Sequence, residues 1–169
     1  FHGYVPTTED ALCLIMAARR GILPRVTRRL TVPERQSVVK SGAIFIFCEK
    51  ESGIKRWVEG LSWSPSRVAG NFLVKRSASQ EECYTSQEEC YTRRGVICVP
   101  KQDGLIKKTI TVKTDGLDYH LISYYTEEDV RSGRLQRPSS RPDLRSIEIP
   151  RELLESSGFR YPLKCESQH

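Results

Sequence analysis

Leu105 to Tyr125 reads LIKKTITVKTDGLDYHLISYY. Ile106, Ile110 and Val112 alternate with Lys107, Thr109, Thr111 and Lys113. That period of two belongs to a strand with one face buried. Asp115-Gly116 is a two-residue hairpin turn, because both positions of such a turn need a positive φ that Asp and Gly tolerate. The chain then returns as a second strand from Leu117 to Tyr125. The isoleucine and valine face is expected in the core, and the opposite face is expected to display lysine and threonine.

Shorter strand signals surround this hairpin. Ala43 to Cys48, AIFIFC, reads as a buried strand, and Phe72-Leu73-Val74 and Val96 to Val99 as two more. Beyond a turn at Glu51-Ser52-Gly53, Ile54 to Trp57 is expected to pair with Ala43–Cys48. Helix signals are brief. Thr7 caps a helix whose apolar face is Ala11, Leu12, Leu14, Ile15 and Ala18, with Arg19, Arg20 and Gly21 at its end. Thr31-x-x-Glu34 is a capping box for a short helix ended by Ser41-Gly42, and Thr126-x-x-Asp129 caps another near Gly133. Ser64-Pro65-Ser66-Arg67 reads as a turn or a helix start, residues 134–146 as irregular chain, and Pro150 as the first turn of a last helix. The fold class is therefore α+β, with a mainly antiparallel β-sheet and a few short helices.

The chemistry concentrates in Ser52 to Arg76, SGIKRWVEGLSWSPSRVAGNFLVKR. Both tryptophans, Trp57 and Trp63, stand there among Lys55, Arg56, Arg67, Lys75 and Arg76, with Glu59 as the single acid. Glycines and one proline cut the segment into short pieces. Cations beside fixed aromatics on turn-rich backbone suit a polyanion, although tryptophans also serve a core and cations a solvated face. Arg25, Arg28 and Arg29 form a second basic group, open to the same two readings.

The 169 residues carry a net charge of +6, unevenly spread. Residues 1–76 hold 13 Lys and Arg against 6 acids, residues 77–95 hold 2 against 4, and residues 96–169 hold 12 against 11. The asymmetry points to an anionic partner, nucleic acid before membrane, since no basic amphipathic helix accompanies it. No apolar run approaches the roughly 20 residues that span a bilayer. Six cysteines at 13, 48, 83, 90, 98 and 165 include no C-x-x-C pair. Cys13 and Cys48 lie in apolar segments, so a reducing compartment, cytosol or nucleus, is expected, with no disulfide framework, metal site or cofactor. The heptapeptide SQEECYT occurs twice in tandem across residues 79–92, and its polar composition reads as a solvated linker.

Longer motifs now come together. Phe1-His2-Gly3-Tyr4, Asp10-Ala11-Leu12, Thr27-Arg28-Arg29, Ser41-Gly42, SGIKRW, SWSPSR-x-x-G-x-F-L-V, GLIKKTI and Tyr119 to Tyr125 resemble the WOPR-domain family, fungal transcription regulators of morphology and virulence. The resemblance spans nearly the whole chain. It implies a single DNA-binding domain over residues 1–164, made of blocks 1–76 and 96–164 around a variable linker 77–95, with 165–169 as a tail. It also implies sequence-specific binding of double-stranded DNA by a nuclear protein, one chain on the duplex, without catalysis. Carried over by position, the contact residues are Lys55, Arg56, Ser62, Ser64, Ser66 and Arg67. Arg56 is the first choice for the minor groove, and Arg25, Arg28 and Arg29 come next as contacts, while Lys75 and Arg76 join them as cations of the same basic stretch. An arginine there gains most from the narrow groove of an A/T-rich site. Where the family usually reads K-R-W-T-D-G, this chain reads Lys55-Arg56-Trp57-Val58-Glu59-Gly60, and Val58 offers no hydroxyl. An enzyme lacks support, since neither a phosphate loop nor a G-x-S-x-G elbow is present and His120 reads as a cross-strand partner. The alternative is a protein-interaction module anchored on Trp57 and Trp63.

Overall fold

In the computed structural model, which describes residues 1–80, 91–93, 96–100, 104–154 and 159, the hairpin is the centre of the sheet. Strands β7 (Ile106–Thr114) and β8 (Leu117–Tyr125) pair antiparallel over nine residues each, from Ile106 opposite Tyr125 to Thr114 opposite Leu117. Asp115 and Gly116 turn the chain with φ of 51° and 74°, the two positive values a tight hairpin turn needs. Strand β1 (Ile44–Cys48) lies on the β8 side, with Phe47 opposite His120. On the β7 side lie β3 (Phe72–Arg76) and then β2 (Arg67–Ala69), giving the order β1-β8-β7-β3-β2. The five-stranded antiparallel sheet and short helices are the α+β class expected from the sequence.

Alternation assigns the two faces. One face carries Ile46, Cys48, Tyr119, Leu121, Ile110, Val112 and Phe72 and packs against α1 (Thr8–Arg19). From Ala11 to Ala18 every residue of α1 except Cys13 is buried, with Leu12, Leu14, Ile15, Ala17 and Ala18 fully so. The Thr7 hydroxyl accepts from the Asp10 amide at 3.1 Å and starts the helix. Across the sheet, Phe47, Ile54, Ile122 and Tyr124 make a second cluster, with Trp57, Trp63 and Phe45 packed on it.

Helix α2 (Val32–Val38) buries none of its residues and depends on its cap. Thr31 accepts from the Glu34 amide while the Glu34 carboxylate accepts from the Thr31 amide at 3.0 Å. Thr31→Ala is therefore expected to cost about 1 kcal/mol locally. Amide exchange should speed roughly fivefold in α2 and stay unchanged in β7 and β8, a separation that global destabilisation would not give.

Four expectations change. Ile54–Trp57 is not a strand, and β1 pairs with β8 instead. The reason is a one-turn helix, α3 (Glu49–Ser52), closed by Gly53 at φ 70°, which lifts the chain off the sheet edge. Trp57 then lies over the sheet, stacked on Phe47 at 5.4 Å between ring centroids. Secondly, Lys107 is buried rather than displayed, and Lys108, on the isoleucine and valine face, is buried as well. Lys108 donates to the Val5 carbonyl at 2.8 Å and lies 4.2 Å over the Phe72 ring, so its charge is satisfied inside the apolar face. Thirdly, Ser64–Arg67 forms neither a turn nor a helix but runs into β2. The Ser64 amide donates to Arg76 O at 2.8 Å, and the Ser64 hydroxyl accepts from the Arg76 amide at 2.9 Å. Finally, residues 134–146 contain a 3-10 turn (Pro138–Ser140) and helix α5 (Pro142–Arg145), fixed by Leu144 packing into the core beside α1.

The ends of the linker are ordered. β4 (Ala78–Gln80) and β5 (Tyr91–Arg93) flank β6 (Val96–Pro100) in a separate three-stranded antiparallel sheet. Most of the SQEECYT duplication, expected as solvated linker, lies outside the described residues. Helices α4 (Glu127–Arg131) and α6 (Arg151–Leu154) start where Thr126 and Pro150 predict.

Candidate nucleic-acid interface

The second face of the sheet is only half covered. Phe47 and Tyr124 lie under Trp57 and Trp63, and beside Trp57 a groove of about 330 Å³ opens over β8, β7 and β3. Lys55, Arg56, Ser66 and Lys75 line the groove from the first block, and Lys107, Thr109, Thr111 and His120 from the hairpin. The registers explain the meeting. Thr111 sits opposite His120, Thr109 is between Ile122 and Leu73, and Lys107 is between Tyr124 and Lys75. Odd-numbered positions of β7 thus form a polar stripe bordered by cations.

Glu59 holds the covering segment down. Its carboxylate accepts from Lys107 Nζ at 2.9 Å, from the Tyr124 hydroxyl at 2.6 Å and from Trp63 Nε1. Trp57 Nε1 donates to the Tyr124 oxygen at 2.8 Å, extending the network. The Lys107 and Glu59 side chains are 9% and 4% exposed, so this ion pair is buried and fully bonded. Burial, and next the bond to Glu59, push the Tyr124 phenol far above its ordinary pKa. Both indole N–H groups are therefore turned inward, and Trp57 and Trp63 support the surface from within this network.

The basic residues expected from the sequence fall into three groups. Lys55, Arg56 and Ser66 are exposed at the groove, and Lys75 reaches it from β3. Arg56 also borders a small cleft with Arg29 and Arg35, so three arginines from distant sequence positions converge. Arg25, Arg28 and Arg76 are engaged in ion pairs. Arg25 bonds Glu51 at 2.8 and 3.1 Å, Arg28 bonds Glu34 at 2.8 and 3.1 Å, and Arg76 reaches Glu127 at 2.7 Å. Arg28, followed by the Thr31 cap, draws the Glu34 carboxyl down to about 2. The Arg28 and Arg76 pairs are solvent-facing, where such contacts are weak and exchangeable, whereas Arg25 is half-buried and also donates to the Ala18 carbonyl. Ser62 is exposed, with its carbonyl accepting from the Ala78 amide, and Arg67 is exposed on β2. Ser64 is buried and bonded to the Arg76 backbone, which gives it a structural part.

Sequence reasoning missed Arg35, Lys107, Thr109, Thr111 and His120. The alternation of β7 carried the signal for the threonines, and the hairpin register carried it for His120. Which of them stood beside Lys55 and Lys75 depended on strand order, which local patterning does not contain.

The sequence profile of the Gti1/Pac2 family matches residues 1–97 and 84–126. The chain belongs to the Gti1/Pac2 family. Among family relatives, the Global transcription regulator sge1 of Gibberella moniliformis is 35% identical over 97% of this chain and 64% of its own length. The chain thus spans under two thirds of that relative. A solved structure described as a fungal protein is 35% identical, with a TM-score of 0.76 over 92% of this chain and 88% of that one. The WOPR domain of Wor1 in Candida albicans, solved in complex with a 13-bp dsDNA, is 37% identical, with a TM-score of 0.70 over 90% of this chain and 91% of that one. The WOPR resemblance read from the motifs therefore holds at the level of family and fold.

Proposed function

We propose that this Gti1/Pac2 chain is the sequence-specific, double-stranded-DNA-binding domain of a nuclear transcription regulator of fungal development and virulence, and that one chain acts per site. The observation that carries the reading is the convergence of Lys55, Arg56, Ser66 and Lys75 on one open groove, beside the arginine cleft of Arg29, Arg35 and Arg56. Lysine, serine and threonine around the groove suit phosphate oxygens, which set register without reading sequence. Arg56 is exposed at the junction of groove and cleft and is assigned to the minor groove of an A/T-rich site, where narrow walls concentrate negative potential. The likeness to a protein solved on duplex DNA supports the same partner.

Sites selected from random DNA, followed by titrations across salt concentrations, test this reading. Binding should weaken steeply with salt, by nearly one unit of logarithmic slope per phosphate contact, whereas an aromatic-anchored protein interface would change far less. Arg56→Ala should cost about 1–3 kcal/mol on the selected site and less on random DNA. Arg56→Lys should also lose affinity, because an ammonium keeps its hydration and lacks the planar fork. Lys75→Ala should weaken both DNAs alike and reduce the salt slope by about one. A folded Arg56→Ala protein that binds its selected site as tightly as wild type would move the reading centre to Arg29 and its neighbours.

A further inference from the structure

His120 and Thr111 face each other across the hairpin on the groove wall. The imidazole is stacked on Phe47 with centroids 4.8 Å apart, which fixes its plane. Its Nε2 stands 3.1 Å from a Glu49 carboxylate oxygen, and its Nδ1 stands 2.9 Å from the Thr111 hydroxyl. A carboxylate only accepts, so Nε2 carries a hydrogen in either charge state. In the neutral ring Nδ1 is then a bare acceptor, and the Thr111 hydroxyl must donate to it. In the imidazolium Nδ1 donates, the Thr111 oxygen accepts, and the hydroxyl hydrogen is released toward the groove. One proton on His120 therefore turns Thr111 from an inward donor into an outward one.

We infer that Thr111 and His120 form a phosphate subsite for the duplex, and that DNA binding through this subsite takes up one proton. The inference rests on the duplex-binding reading above. Thr111 is exposed and shares the groove with Lys55, Arg56 and Lys75, so a phosphate attracted by those cations meets a threonine able to donate only when His120 is charged. The phosphate also favours the imidazolium directly, by its charge. The other charged groups around the ring are Glu49 from α3, which favours the charged ring, and Lys55, Arg56, Lys75 and Lys107, which oppose it until a phosphate arrives. Farther along the same face, Lys113 and Asp118 stand opposite each other and offset one another.

The direction follows from linkage. If the bound state holds one more proton, affinity is highest at low pH and falls as pH rises, with a limiting slope of about tenfold per unit. The measurement is affinity for a selected duplex between pH 5.5 and 8.5 at constant ionic strength, using wild type, Thr111→Val and His120→Gln, with melting curves for each. Wild type should lose about five- to tenfold between pH 6 and pH 8. Thr111→Val keeps a β-branched side chain on an exposed strand position. It should fall furthest behind wild type at pH 6, and its loss from pH 6 to pH 8 should be smaller than that of wild type, because only the direct attraction between phosphate and imidazolium remains. His120→Gln leaves no group at this place to take up the proton and should vary less than about twofold across the range. A wild-type profile that is flat, or the full wild-type slope retained by either variant, overturns the inference. Failure of wild type to bind any duplex at any pH overturns instead the reading on which it rests.

Discussion

Residues 1–76 expressed alone are expected to lose the fold completely. In the sheet order β1-β8-β7-β3-β2, the two outer parts come from the first block and the two central strands from the second. Without β7 and β8, β1 has no ladder partner, and β2 with β3 is left as a small hairpin of three paired residues. A two-stranded piece of that size is marginal in water. Helix α1 would face no Ile110, Val112, Tyr119, Leu121 or Leu144, which together complete its core. The whole stability, of order 5–15 kcal/mol for an ordinary domain, is thus at stake. Circular dichroism of the 1–76 fragment should show no cooperative melt. Mixing it with residues 96–169 should restore one transition, because the missing strands slot between β1 and β3. Cooperative melting of the first fragment alone would show that its strands find another arrangement.

How much of this was readable beforehand depended on distance along the chain. The hairpin was legible because its pattern and its turn are local: alternating Ile and Val, then Asp115-Gly116. The caps at Thr7, Thr31 and Thr126 were legible for the same reason, each hydroxyl bonding an amide three residues on. The error at Ile54–Trp57 came from treating a short segment beyond a turn as the partner of the strand before it. Those residues do follow a turn after β1, yet Gly53 in the left-handed region redirects them over the face of the sheet. The groove was half legible. Lys55, Arg56 and Lys75 lie in one basic stretch, whereas Thr111 and His120 join them only because β7 and β3 are neighbours. Glu59 was visible as the single acid among cations, but its partners are 48 and 65 residues away. Lys107 looked like any solvent-facing residue of a half-buried strand.

That pair supplies the second large effect. Glu59→Gln is expected to destabilise the protein by about 3–5 kcal/mol, because it leaves the Lys107 ammonium buried without its counter-charge. The amide cannot replace the carboxylate. Three donors, from Lys107, Tyr124 and Trp63, converge on it, and one end of an amide is itself a donor. Lys107→Met should be comparably harmful, since it strands the carboxylate. The double variant is the decisive one. With both charges gone and an apolar chain of similar length under Trp63, it should be more stable than the sum of the single losses predicts, by at least about 1 kcal/mol. Additive losses would mean that the two charges do not depend on each other. Binding gives an independent view of the same contact. Glu59 ties down the segment that carries Lys55 and Arg56, so the folded double variant should retain its melting transition yet still lose affinity for a selected duplex more than for random DNA. Random binding needs only charge, whereas selective binding needs Arg56 at a fixed place relative to the groove.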